Sequence, residues 1–224
     1  MIDTKEIQDN LWQVGGDDLS GPGDAAIYLV RFGPEAALID AGCGQGHQTI
    51  RRNIAACLPE DIPVSFLILT HCHYDHSGGA ARLREELGCR IVAHVLDAVY
   101  LETGDSEVTA ACWYGARMEP LVVDVKLDGP DHRIEVGDGC LHALHMPGHS
   151  PGSLVLTTRM EDQLVLFGQD VHGPIHPALR SDRAAYQASL RQLLDLEADL
   201  LLEGHFGVFR GKERVRRFVR SFII

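Results

Sequence analysis

Residues 69–79 read LTHCHYDHSGG, with three histidines and an aspartate inside six positions directly after the apolar run PVSFLIL. So many titratable side chains at the end of a buried-type strand need compensation by water, by one another or by a metal. Imidazole and carboxylate are the donors that zinc and similar borderline cations take, and a catalytic site keeps one position open for water. His71 and His73, two apart in extended chain, point the same way and can chelate one ion. Asp75 and His76 fall one turn further on and can reach a second.

Three more polar residues follow apolar runs later in the chain. His149 lies in the Pro/Gly loop HMPGHSPGS, Asp170 ends VLFGQD, and His205 ends LLLEGH. His149 would complete a three-histidine set for the first ion and His205 a His/His/Asp set for the second, with Asp170 able to bridge them. A lone His-x-His is more often an ordinary surface or core pair. Three histidines and an aspartate in HxHxDH, followed by Gly-Gly and three further clusters in order, argue for metal. Cys72 and Tyr74 alternate away from the ions and are assigned to packing.

The elements that must position these residues are short. Strand-like runs occur at 26–30, 36–40, 65–70, 89–93, 140–146, 152–158, 163–168 and 198–204. Helical periodicity appears at 49–58, 78–88, 182–196 and 213–223, with apolar residues three and four apart. Gly88 after REEL reads as a helix C-cap. SGPGD (20–24) and LDGPD (127–131) read as turns, and no linker divides the chain, so residues 1–224 are expected to form one domain. Two sheets face to face with helices outside would bury every apolar face, an α/β sandwich.

Composition excludes several functions. With a formal net charge of −12, the chain is a poor candidate for nucleic-acid binding, which depends on neutralising phosphates. No apolar run is long enough to span a bilayer, and the polar start MIDTKEIQDN does not resemble a signal peptide. The six cysteines form no CxxC pair and no compact disulfide spacing, which suits free thiols in a reducing cytoplasm. A small-molecule substrate is therefore expected, with neither nucleic acid nor membrane as partner. The sequence carries no signal for an oligomeric state.

At these residues the sequence resembles the metallo-β-lactamase superfamily. Its five motifs can be read in order, as Asp40 in LIDAG, then THCHYDH, His149 in PGHSPGS, Asp170 in FGQD and His205 in EGH, from about residue 25 to 210. The resemblance implies a four-layered αββα sandwich of two mixed sheets, with a dinuclear cleft at one edge. It implies His71, His73 and His149 on the first ion, Asp75, His76 and His205 on the second, and Asp170 between them. Asp40 would orient the ligand loop by hydrogen bonds without touching metal. Two departures stand out: Gln169 precedes Asp170 where the family usually has glycine, and EGHFGVF replaces a shorter glycine-histidine-glycine ending.

Two divalent ions are then the implied cofactors, with zinc expected and iron or manganese as alternatives. Two such ions, two carboxylates and one hydroxide leave roughly one positive charge, which favours an oxyanion. A bridging water, its pKa lowered to about 7, would attack the carbonyl of a small ester, thioester, lactone or amide. Asp75 would relay a proton to the leaving group, as the resemblance suggests. The rival within the resemblance is a persulfide dioxygenase with one Fe(II) on His71, His149 and Asp170. Flavodiiron-type reductases carry Glu where His73 stands, and nucleases fit the acidic balance poorly. For substrate contacts, His172 and His176 are candidates to line the cleft, and Arg210 and Lys212 to hold an anionic group. Trp113 and Tyr114 in ACWYGAR are candidates for a lid, while His47, His94, His132, His142 and His145 have no motif around them.

Overall fold

The computed structural model describes residues 4–224; the first residues of the polar start discussed above, 1–3, lie outside them. One sheet has seven strands in chain order: β1 (Lys5–Gln8), β2 (Leu11–Gly15), β3 (Ile27–Phe32), β4 (Glu35–Ile39), β5 (Val64–Ile68), β6 (Arg90–His94) and β7 (Val125–Leu127). The second has six: β8 (Asp131–Val136), β9 (Gly139–His145), β10 (Leu154–Met160), β11 (Gln163–Gln169), β12 (Leu200–Glu203) and β13 (Gly207–Arg210), ordered 13-12-11-10-9-8. The helices are α1 (His47–Cys57), α2 (Tyr74–Ser77), α3 (Ala80–Leu87), α4 (Val95–Thr103), α5 (Arg183–Asp195) and α6 (Lys212–Arg220).

Alternation along the central strands explains the layering. Tyr28, Val30, Ile39, Phe66 and Ile68 face inward and meet Leu154, Leu156, Val165, Phe167 and Leu202 of the other sheet in one shared core. Their neighbours Leu29, Leu38 and Leu67 face outward and pack on Ile50 and Ile54 of α1, Leu83 of α3 and Leu101 of α4. On the far side Val155, Leu166 and Leu201 pack on Leu190 and Leu193 of α5 and Val215 and Val219 of α6. A strand buried on both faces reads as a continuous apolar run, which is why these strands are legible. The result is the expected αββα sandwich of two mixed sheets. Gly88, at φ 68°, ends α3 as expected.

Five strands and two helices, the single-turn α2 and the longer α4, go beyond the sequence reading. Four of those strands, β1, β7, β8 and β13, are sheet edges; β1, β7 and β13 have three or four residues, and β8 alternates exposed and buried positions. Edge strands are kept short or polar to discourage further pairing, so they lack an apolar run. The helix α4 is inverted in polarity. It buries Asp97 while Leu96 and Val99 stand 46% and 50% exposed, which hides its amphipathic period.

Strand direction places the chemistry. β4, β5 and β6 are parallel, as are β11 and β12, so their carboxyl ends share one edge of the sandwich. Asp40, the 69–76 segment, Asp170 and His205 all leave from those ends. No helix among the described residues is long and apolar enough to cross a membrane, and all six cysteines are free thiols.

Candidate metal centre

After β5 the chain stays extended through His73 (φ −66°, ψ 147°) and then turns into the single-turn helix α2, which carries Asp75 and His76. The Gly-Gly that follows is required by a close approach. A Cβ on Gly79 would lie 2.3 Å from the Ala41 carbonyl oxygen, in the loop that starts at Asp40. That loop is laced to α2 by Ala41 N–H to His76 O at 2.7 Å and Gly79 N–H to Gly42 O at 2.9 Å. The His149 loop is held as tightly: Gly148 has φ 132°, and a Cβ there would lie 2.1 Å from the Tyr186 amide nitrogen. The register against β12 shifts between Phe167 and Gln169, skipping Gly168, and Asp170 follows directly after the strand.

The structure brings all seven ligand candidates together in two adjoining sets. Donor atoms of His71, His73, His149 and Asp170 lie within 4.8 Å of one another, as do those of Asp75, His76 and His205. Asp170 stands between them with its oxygens divided. Its Oδ2 is 3.2 Å from His149 Nε2 and 3.9 Å from His71 Nε2, while its Oδ1 is 3.2 Å from His76 Nε2 and 3.4 Å from His205 Nε2. In the first set the Nε2 atoms of His71 and His149 approach to 3.2 Å, and in the second His205 Nε2 is 3.2 Å from Asp75 Oδ2.

These contacts fit ligands around a common centre better than ligands bonded to each other. His73 Nε2, His76 Nε2 and Asp170 Oδ1 are buried and reach no well-aligned hydrogen-bond partner. Donors about 2.1 Å from a tetrahedral ion stand roughly 3.4 Å apart, close to the separations found here. The opposite ring nitrogens are anchored: His71 Nδ1 to Thr70 Oγ1 at 3.1 Å, His76 Nδ1 to Asp40 Oδ2 at 2.6 Å, and His149 Nδ1 to the Pro174 carbonyl at 2.8 Å. Ligating imidazoles are oriented this way by the partner of their second nitrogen. Asp40 also accepts from Thr70 N–H at 2.9 Å, so it ties the ligand loop without entering either set.

Burial and neighbouring charge divide the histidines. Burial, helped by the surrounding histidines, holds His71 and His73 well below the usual imidazole range, so both present lone pairs. Burial also opposes charge on His76, but Asp170, Asp75 and Asp40 outweigh it and raise its pKa well above the usual value. For His205, burial is outweighed by hydrogen bonds to Asp170 and Asp75, and the pKa rises to about 10. Asp170 is held well below the usual carboxylate range, burial being overcome by His76 and by hydrogen bonds from His149 and His205. A cation placed between the sets would replace these protons with its own charge.

Two buried carboxylates not expected from sequence shape the centre. Asp97 of α4 accepts from Cys72 N–H (2.9 Å), Gly152 N–H (2.6 Å) and Ser150 Oγ–H (2.6 Å), joining the His71–His73 segment to the His149 loop. Glu203 accepts from His205 N–H (2.7 Å) and Phe206 N–H (2.8 Å) through one oxygen, and its other oxygen bonds His172 Nδ1 at 2.8 Å. A glutamate ending the apolar run LLLE carried the same signal as Asp170 ending VLFGQD. Asp97 carried none, since it lies in the inverted helix.

The substrate candidates separate. His172 joins the centre, within 4.8 Å of donors on Asp170 and His205. His176 stands farther out, capping Ala178 N–H and packing edge-on against Trp113 at 5.3 Å. Trp113, 52% exposed, and Tyr114, packed on Tyr74 at 5.7 Å, sit on a 3₁₀ turn (Ala111–Tyr114) rather than in the core. Arg210 and Lys212 are not brought to the centre. Arg210 pairs across from Leu200, at the end of the β12–β13 hairpin remote from His205, and donates to the Ile7 carbonyl at 2.5 Å. Lys212 Nζ lies 3.8 Å from Glu197. Nearness in sequence to His205 is undone by the extended hairpin, which carries both cations away. Of the histidines without a motif, His94 and His145 stack on each other at 3.9 Å, between the sheets and apart from the centre.

Comparison with known proteins agrees with this geometry. The family model of the metallo-beta-lactamase superfamily matches residues 20–205. The acyl-coenzyme A thioesterase MBLAC2 of Bos taurus is 31% identical over 89% of this chain and 78% of its own. That of Gallus gallus is 32% identical with the same coverage. Among solved structures, the MIM-2 metallo-beta-lactamase superposes with a TM-score of 0.78 at 25% identity, covering 95% of this chain and 84% of its own. A Cronobacter sakazakii metallo-beta-lactamase, 21% identical, reaches 0.81 over 98% and 90% and shares the fold. Matched over most of its length, and carrying histidine and aspartate clusters suited to divalent metal at the edge of the sandwich, the chain belongs to the metallo-beta-lactamase superfamily as a metallo-hydrolase.

Proposed function

We propose that this chain hydrolyses a thioester of a small or medium acyl group with two divalent ions, zinc foremost, seated in the two donor sets. The observation that carries the reading is Asp170, whose oxygens are divided between the sets. Two such ions would supply an activated water and a Lewis acid for the carbonyl oxygen. His71, His73 and His149 would hold the first position, His71 and His149 with their second ring nitrogens anchored, and Asp75, His76 and His205 would hold the second. Asp75 faces the cleft beside the Tyr114 phenol, which burial and the Asp75 charge keep protonated, and it is the carboxylate placed to pass a proton to the leaving group. Thioester chemistry is supported by the thioesterase relatives. The reading takes residues 1–224 as one unit, in keeping with the core that both sheets share.

Elemental analysis of protein purified without added metal tests the first half, with about two equivalents of zinc expected. One tightly held iron would replace this reading with the mononuclear dioxygenase. A matched panel of thioesters, oxygen esters, lactones and amides tests the second half. Faster turnover of an oxygen ester or lactone than of its thioester counterpart would sink the thioester assignment and leave metal-dependent hydrolysis standing.

A further inference from the structure

The turn after β11 is built around a histidine that the seven-ligand arrangement does not use. Asp170 to Gly173 is closed by Gly173 N–H to Asp170 O at 3.1 Å and pinned from outside by the Tyr186 hydroxyl on Val171 O at 2.6 Å. His172 therefore has a set position, between His205 and Phe206 at ring separations of 5.1 and 5.0 Å. Its Nδ1 lies 2.8 Å from Glu203 Oε1. Glu203 is fully buried, and its other oxygen is occupied by the His205 and Phe206 amides. A carboxylate only accepts, so Nδ1 is the nitrogen committed to Glu203 and Nε2 is the one left for another partner.

The same arrangement occurs once more in this centre. His76 Nδ1 lies 2.6 Å from Oδ2 of Asp40, another fully buried carboxylate, while its Nε2 is turned to Asp170. A buried carboxylate behind an imidazole fixes its tautomer and raises its basicity, the usual support of a metal-bound histidine. His172 has that support, and one of its ring nitrogens lies within 4.8 Å of donor atoms on Asp170 and His205.

We infer that His172 is an eighth metal ligand, joining Asp170 and His205 on the side of the second ion and held for that role by Glu203. The inference rests on the two-ion reading above. It places an additional imidazole where the second set otherwise relies on His76, His205 and carboxylates, so the two positions differ in which ligands they can lose.

Cobalt(II) titration of metal-free protein, followed by visible absorption and by calorimetry, tests it without reference to turnover. Wild type is expected to take two equivalents. His172→Ala should keep the affinity of the first and weaken the second at least about tenfold, with a changed visible band for the second ion only. His176→Ala, on the same segment but outside the donor sets, should titrate as wild type. If His172→Ala folds poorly, His172→Gln serves in its place. Two equivalents with wild-type affinities and spectrum in the His172 variant would overturn the inference while leaving the two-ion reading intact. A single equivalent in wild type would overturn the two-ion reading, and the placement of His172 with it.

Discussion

Asp170 is the residue on which both halves of the centre depend. It faces four imidazoles, and removing it leaves Asp75 as the carboxylate before the Nε2 atoms of His76 and His205. Asp170→Ala is expected to lower turnover by at least a thousandfold and to reduce bound metal below one equivalent, measured by kinetics and elemental analysis together. Its far-UV circular dichroism should stay native, because no core side chain packs through the centre. The opposite result is expected at Arg210. Its guanidinium is committed to the Ile7 carbonyl at the remote end of a hairpin, so Arg210→Ala should leave KM and kcat for anionic and neutral thioesters within about twofold of wild type. A large rise in KM confined to the anionic substrates would return Arg210 to the cleft.

At the scale of elements, the centre is held by the way loops are tied rather than by the ligands. Asp97, in a helix that leaves Leu96 and Val99 exposed, clamps the segment bearing His71 and His73 to the loop bearing His149. Asp97→Ala would leave two buried backbone N–H groups and a serine hydroxyl without their acceptor, a cost of about 3 kcal/mol or more. Chemical denaturation should show that loss, and metal titration should show the first ion weakened more than the second. Equal weakening of both ions would mean that Asp97 supports the fold at large and not the three-histidine set. The glycine at the base of the His149 loop is equally constrained. Any side chain at Gly148 meets both a disfavoured φ and the backbone of α5, so Gly148→Ala should abolish turnover even if the protein still folds.

The molecule as a whole is expected to survive loss of its metal. The shared core joins the sheets through Tyr28, Phe66, Phe167 and their neighbours, away from the ligand edge. Chelation should therefore lower the Tm, because an ion that binds only the folded state stabilises it, yet leave the circular dichroism spectrum native. Collapse of the spectrum on chelation would make the metal structural. The His94–His145 stack between the sheets adds a pH dependence of its own. His94 is 2% exposed; burial first, then His145, lowers its pKa from 6.5 to about 4. With the folded value below the unfolded one, the unfolded chain binds the extra proton between those values, and stability falls as the pH drops from about 6.5 towards 4. His94→Gln should flatten that decline relative to wild type in Tm measurements across the same range. An identical slope in both proteins would exclude His94 as its source.

The seven candidate ligands were legible in the sequence because metal chemistry demands particular donors, and parallel strands deliver them at recognisable places, directly after apolar runs. The central strands and three of the longer helices were legible for a related reason: burial on one face or on both imposes a period that one chain displays by itself. Asp97, the partners of Glu203 and the edge strands depended on tertiary structure. A buried carboxylate is tolerable only where several donors converge on it, and those donors come from segments up to 55 residues away, as with Gly152 and Asp97. Edge strands are defined by the neighbour on their one paired side and carry little pattern of their own. Arg210 and Lys212 show the converse case. Arg210, three residues beyond the first position of β13, already lies opposite the start of β12, and Lys212 lies past the strand in α6, which only the register of β12 against β13 reveals.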